Sequence, residues 1–181
     1  MSAPLRNRDR LATRLIHAGQ SPDPLTGAVM CPTDCALLLR SLKTLSVRVD
    51  RQAANPALLA QHLEANAQAL GLSEVIYPGL ASHPGHAVAA RQMENFGALI
   101  SLKLTGGLER VERVLSSTRL FHFAVSLGGV ESLIQHPASL THAVMPQDQR
   151  TSTGIGDDLI RLSVGIEDTG DLLADLLNAL T

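Results

Sequence analysis

A chain of 181 residues, 45% hydrophobic and 18% charged, suits one ordinary globular domain rather than two. Fifteen basic against seventeen acidic residues leave a net charge of −2, which argues against a phosphate-seeking basic surface and so against a nucleic-acid partner. Aromatics are 2% (Tyr77, Phe96, Phe121, Phe123, no Trp), which argues against base- or sugar-stacking platforms as well, and the core must be Leu, Val, Ile and Ala.

Residues 1–33 read as an irregular arm. Arg6, Arg8, Arg10 and Arg14 lie there without the apolar stretch of a signal peptide. A short helix is expected over 11–17, then a turn-rich run from Ser21 to Gly27. Cys31 and Cys35 form C-x-x-x-C, a poor redox or metal spacing, so both are expected as free thiols in a reducing cytoplasm. No stretch reaches the roughly 18 apolar residues of a membrane span.

The domain proper is expected over 34–181. Asp34 is a candidate N-cap for one long helix over 35–70, with Leu38, Leu42, Leu45, Val49, Leu59, Leu63, Ala67 and Leu70 at helical spacing. Pro56 should kink or interrupt it and Gly71 should stop it. Strands are expected over 73–77, 98–104, 121–127 and 159–166, and helices over 87–93, 108–116 and 171–180. Alternating strands and helices define an α/β or α+β fold. The helix over 35–49 carries Leu and Val on more than one face, which predicts a homodimer or larger oligomer.

Spacing alone yields no catalytic constellation. His83, His86, His136 and His142 lack the partners of a tetrahedral metal set and read as ordinary histidines. Gly106-Gly107 and Gly128-Gly129 lack the pattern of a phosphate loop. Arg161 stands out inside the apolar run Leu159-Ile160-Arg161-Leu162-Ser163-Val164. A guanidinium there needs an anion, either a carboxylate of the protein or one from a ligand. Ser126-Leu127-Gly128-Gly129 ends another expected strand, where a hydroxyl and free N–H groups suit a small anion.

Several of these segments together resemble one family. Leu37-Leu38-Leu39-Arg40-Ser41-Leu42-Lys43-Thr44-Leu45 is similar to its L-x-x-R-G-L-K-T-L motif, with Ser41 where Gly is usual. Tyr77-Pro78-Gly79-Leu80-Ala81-Ser82-His83-Pro84 matches its Y-P-G-L-x-S-H-P. Ser126-Leu127-Gly128-Gly129, His136-Pro137-Ala138, Thr141-His142 and Arg161-Leu162-Ser163-Val164-Gly165 follow in order. The run from His17 to Val29 resembles the family's N-terminal arm. The family is the pyridoxal-phosphate enzymes of Cys/Met metabolism: cystathionine γ-synthase, cystathionine γ-lyase and methionine γ-lyase.

The resemblance implies an aminotransferase-like C-terminal domain, a small mainly antiparallel sheet with helices on one face. It implies an amino-acid substrate whose α-carboxylate is clamped by Arg161 beside Ser126, with Val125 at a position that varies with reaction specificity. It also implies a missing piece. In the family a cofactor domain, with a glycine-rich phosphate loop and an S-x-T-K lysine, separates the arm from the C-terminal region. Here Met30 runs almost directly into Pro32, and Lys43 and Lys103 are the two lysines, neither in that motif. The chain therefore reads as an internally deleted member, holding pyridoxal phosphate not at all or not stably, without a catalytic residue of its own, and inactive alone. A docking module for a full-length homologue, or an enzyme half completed by another chain, are the open alternatives.

Overall fold

The computed structural model describes residues 32–181. The expected helix over 11–17 and the arm up to Cys31 lie outside them. The chain divides into two compact units after Leu45.

In the first unit, α1 spans Pro32–Leu42. A proline opens it, and its missing N–H costs nothing in a first helical turn. Asp34 is thus inside a helix rather than capping one. Leu37, Leu38, Leu39 and Leu42 are each more than half exposed. The single helix expected over 35–70 is two, because Lys43 and Thr44 turn back onto the carbonyls of Arg40 and Ser41 before α2 (Leu45–Ala65) begins. Pro56 is buried within α2 and does not end it. Gly71 is no helix stop either: turns follow Ala65, and Gly71 takes φ +62 just before the first strand.

The second unit holds a five-stranded sheet. Its elements are β1 (Leu72–Ile76), α3 (His86–Gln92), β2 (Leu99–Leu104), α4 (Gly107–Ser117), β3 (His122–Phe123), β4 (Leu133–Gln135), α5 (Gln147–Ser152), β5 (Leu159–Ser163) and α6 (Thr169–Leu180). The strand order is β1-β2-β5-β4-β3. Three neighbouring pairs are antiparallel and β3–β4 is parallel, which gives the mainly antiparallel sheet expected. The strand expected over 121–127 is cut to two residues, and that over 159–166 stops at Ser163. β4 and α5 had no counterpart in the sequence reading.

Side chains alternate across this sheet. Ile100, Leu102, Leu104, Ile134, Ile160 and Leu162 face the core. Leu59, Ala60 and Leu63 of α2, Val111 and Val114 of α4, and Leu172, Leu176 and Ala179 of α6 complete it. The helices thus cover one face, as expected. Residues 172, 176 and 179 recur at helical period, so one stripe of α6 is buried. The Asp168 side chain caps α6, accepting from the N–H groups of Gly170 and Asp171. On the same helix, buried Asp175 accepts N–H bonds from Arg119, Leu120 and Phe121. That carboxylate satisfies the bend leading into β3.

Tyr77 closes the core beside β1, 1% exposed, its hydroxyl donating to the Gly97 carbonyl at 3.2 Å and its ring edge-on to Phe96. Burial disfavours the phenolate and pushes Tyr77 up from 10.0 to about 12. As the folded value exceeds the unfolded one, the stability tied to this proton is complete below pH 10 and is lost as pH rises toward 12. The chain has one tyrosine, so ultraviolet titration of the native protein should show a single late phenolate near pH 12, moving to about 10 in urea.

Candidate functional site

β5 is the middle strand, and Arg161 is its middle residue. Its cross-strand partners are Ser101 on β2 and Gln135 on β4. The two-residue period puts all three on the sheet face away from the helices. The guanidinium Nη2 donates to the Ser126 carbonyl at 3.4 Å. Arg161 enters none of the ion pairs among the described residues, which are Lys103–Glu74, Arg113–Glu109 and Arg150–Asp157. Of the two sources of an anion for this cation, the described part of the protein therefore supplies none. Burial pushes its pKa below the usual guanidinium value, as desolvation of a cation must.

The structure brings Arg161 and Ser126 together through the serine's backbone oxygen rather than its hydroxyl. Val125, the preceding residue, is 57% exposed. The loop carrying both is held at several points. Gly128 takes φ +79, a conformation that favours glycine, and its N–H donates to Ser163 Oγ at 3.0 Å. Gln52 of α2 donates to the carbonyls of Gly128 and Gly129. The Ile166 N–H reaches the Val130 carbonyl at 2.9 Å.

Behind that loop is a buried polar knot. Ser132 donates its N–H and its hydroxyl to the two oxygens of Glu167, and its Oγ accepts the Gly165 N–H. Asn55, fully buried on α2, donates to the carbonyls of Gly165 and Glu167 and accepts from Thr169. A Cβ on Gly165 would overlap the Val130 carbonyl oxygen, so only glycine permits this approach. Sequence reasoning missed Gln52 and Asn55. Their signal was present: two amides on the face of α2 that also buries Leu59 and Leu63.

The other candidates resolve into ordinary structure. The His83 ring accepts the Gly85 N–H, and His86 stacks on Phe96 with Nδ1 2.8 Å from the Pro78 carbonyl. His136 Nδ1 lies 2.9 Å from Ser139 Oγ, and His142 Nδ1 lies 2.9 Å from Thr141 Oγ1. Among the described residues no three His, Cys, Asp or Glu gather to hold a metal. Gly106 and Gly107 (φ +98 and +67) form the turn into α4. A cavity of about 570 Å³ against α4 is lined by Leu108, Leu115, Phe123 and His136. The guanidinium lining it, Arg150, is already paired with Asp157 at 2.5 Å.

Among the described residues, neither lysine is placed to hold a cofactor ring. Lys103 is ion-paired to Glu74 at 2.5 Å across β1–β2. Lys43 is exposed in the turn after α1. Neither is a desolvated amine facing a pocket, the form a Schiff-base lysine takes.

The description "Cys/Met metabolism PLP-dependent enzyme" matches residues 10–181. The chain belongs to this family of pyridoxal-phosphate-dependent enzymes. It is 44% identical over 173 residues to an L-methionine gamma-lyase of Pseudomonas deceptionensis, covering 96% of this chain and 42% of that enzyme. It is 49% identical over 154 residues to a cystathionine beta-lyase of Coxiella burnetii, covering 85% of this chain and 39% of that one. Among solved structures it is similar to cystathionine gamma synthase from Xanthomonas oryzae pv. oryzae in complex with aminoacrylate and cysteine, with a TM-score of 0.78 and 47% identity over 86% of this chain and 40% of that one. The chain thus spans about two fifths of the length of the relatives it matches.

Because Arg161 has no carboxylate partner to lose among the described residues, Arg161→Met should change stability by less than about 1 kcal/mol. Urea midpoints measure this. A loss of about 3–5 kcal/mol would instead reveal a buried ion pair within the protein.

Proposed function

We propose that this chain is an internally deleted member of the family that carries the substrate α-carboxylate half of a transsulfuration site and is inactive alone. The observation behind it is a half-buried guanidinium on the sheet face opposite the core helices whose hydrogen-bond partner among the described residues is a backbone carbonyl. A planar fork left in that state suits a bidentate carboxylate. Arg161 would bind the α-carboxylate of a small amino acid, Ser126 would line the same pocket, and Val125 would border the substrate side chain.

The lysine that would hold pyridoxal phosphate is not among these residues. The chain should form no saturable adduct with the cofactor at one lysine. Borohydride trapping at micromolar pyridoxal phosphate, followed by peptide mapping, checks this. Stoichiometric labelling of Lys43 or Lys103 alone would overturn the reading.

A second reading is favoured by α1: the chain associates with another copy of itself, or docks on a homologous chain that supplies the missing half. Four leucines there are more than half exposed, although burying them would gain about 25 cal/mol per Å² before association costs. Light scattering at micromolar concentration should show a dimer, a larger oligomer or aggregates. A monodisperse monomer that binds no hydrophobic dye would count against it. The reading places the chain in the cytoplasm, where Cys35 would stay a free thiol.

A further inference from the structure

Three of the five buried, unpartnered side-chain polar atoms among the described residues belong to one cross-strand pair: Arg161 Nε and both amide atoms of Gln135. Gln135 is 1% exposed and directly opposite Arg161 on β4. Buried polar groups in folded proteins are nearly always hydrogen-bonded, so such a concentration calls for a cause. The two groups are complementary. Nε–H is a donor and the amide oxygen an acceptor, and directly opposed side chains on one face lie within mutual reach. The Arg161 hydrogen bond that does form, to Ser126 at 3.4 Å, is at the long end of the range and holds only Nη2.

We infer that Gln135 is the positioning residue for Arg161. When a carboxylate draws the guanidinium into line, the Gln135 amide oxygen accepts the Nε–H. That bond fixes the plane of the fork and leaves both Nη groups to the ligand. In the free chain the bond is unmade, so binding gains two interactions at once, one to the anion and one within the protein. The role belongs to Gln135 rather than Ser101, the other cross-strand neighbour, because Gln135 is the partner whose polar atoms are buried and unused. This rests on the reading of Arg161 as a carboxylate site.

The test uses the whole chain, with L-methionine as probe and its decarboxylated analogue 3-(methylthio)propylamine as control. Calorimetry gives affinity, and nitrogen-15 NMR follows the Arg161 Nε–H, assigned by its disappearance in Arg161→Lys. In the wild type, L-methionine should bind, the amine should not, and the Nε–H should become protected from solvent exchange. Gln135→Met should abolish that protection and weaken binding about tenfold, while its urea midpoint stays level or rises, since no native bond is lost. Gln135→Glu should keep the protection yet weaken binding, because its charge competes for the fork. Equal affinity and protection in Gln135→Met would overturn the positioning role and leave the Arg161 reading intact. So would a fall in its urea midpoint with unchanged affinity, which marks a merely structural residue. Absence of L-methionine binding in the wild type, or equal binding of the amine, would overturn the Arg161 reading itself.

Discussion

The buried amide of Asn55 holds the backbone beyond the central strand in order. It reaches from α2 into the backbone just past β5, satisfying the carbonyls of Gly165 and Glu167. Gly165 lies past the end of β5, and leaving its carbonyl unpaired in the interior would cost about 1–3 kcal/mol, whereas the Glu167 carbonyl also accepts from Arg51. With that backbone fixed, Glu167 can take both donors of Ser132, and Ser132 can take the Gly165 N–H. The loop bearing Ser126 then has a firm base. A helix that contributes little to the site's surface thus decides where the site's residues stand.

Arg161 is the counterpart of this order, a cation set into the central strand at a cost. Desolvation lowers its pKa, and no carboxylate of the described protein offsets it. An apolar residue would suit the strand better. Residues that spend stability in this way belong to binding sites more often than to scaffolds. The adjacent Gln135, with its amide buried and unused, is a second expense at the same place.

How much of this was legible in the sequence depended on pattern length. Strand β2 and helix α6 were legible because several residues of each repeat at one period. β3 and β4 were not, since two and three residues carry no period, and their pairing is a property of the sheet. The break at Lys43–Thr44 was hidden by leucines on both sides that kept the helical spacing. Pro56 did not interrupt its helix, because tertiary burial can carry a proline inside one. Arg161 was visible as a charge in an apolar run. Its supports were not, because a buried Asn or Gln looks like a surface one until its neighbours are known.

The sheet order has a consequence for how the chain acquires its structure. β5 is the last strand made and the one in the middle, flanked by β2 and β4. Until residues near 163 are available, β1–β2 and β3–β4 are two ribbons with no common partner. Each would expose an unpaired edge to its neighbours. The sheet therefore assembles by insertion of its own centre, with long loops to close first, a route that is slow compared with adding successive hairpins. The strand that carries the cation is also the one that joins the two halves, so the sheet face that bears Arg161 cannot exist in a partly folded form of this chain.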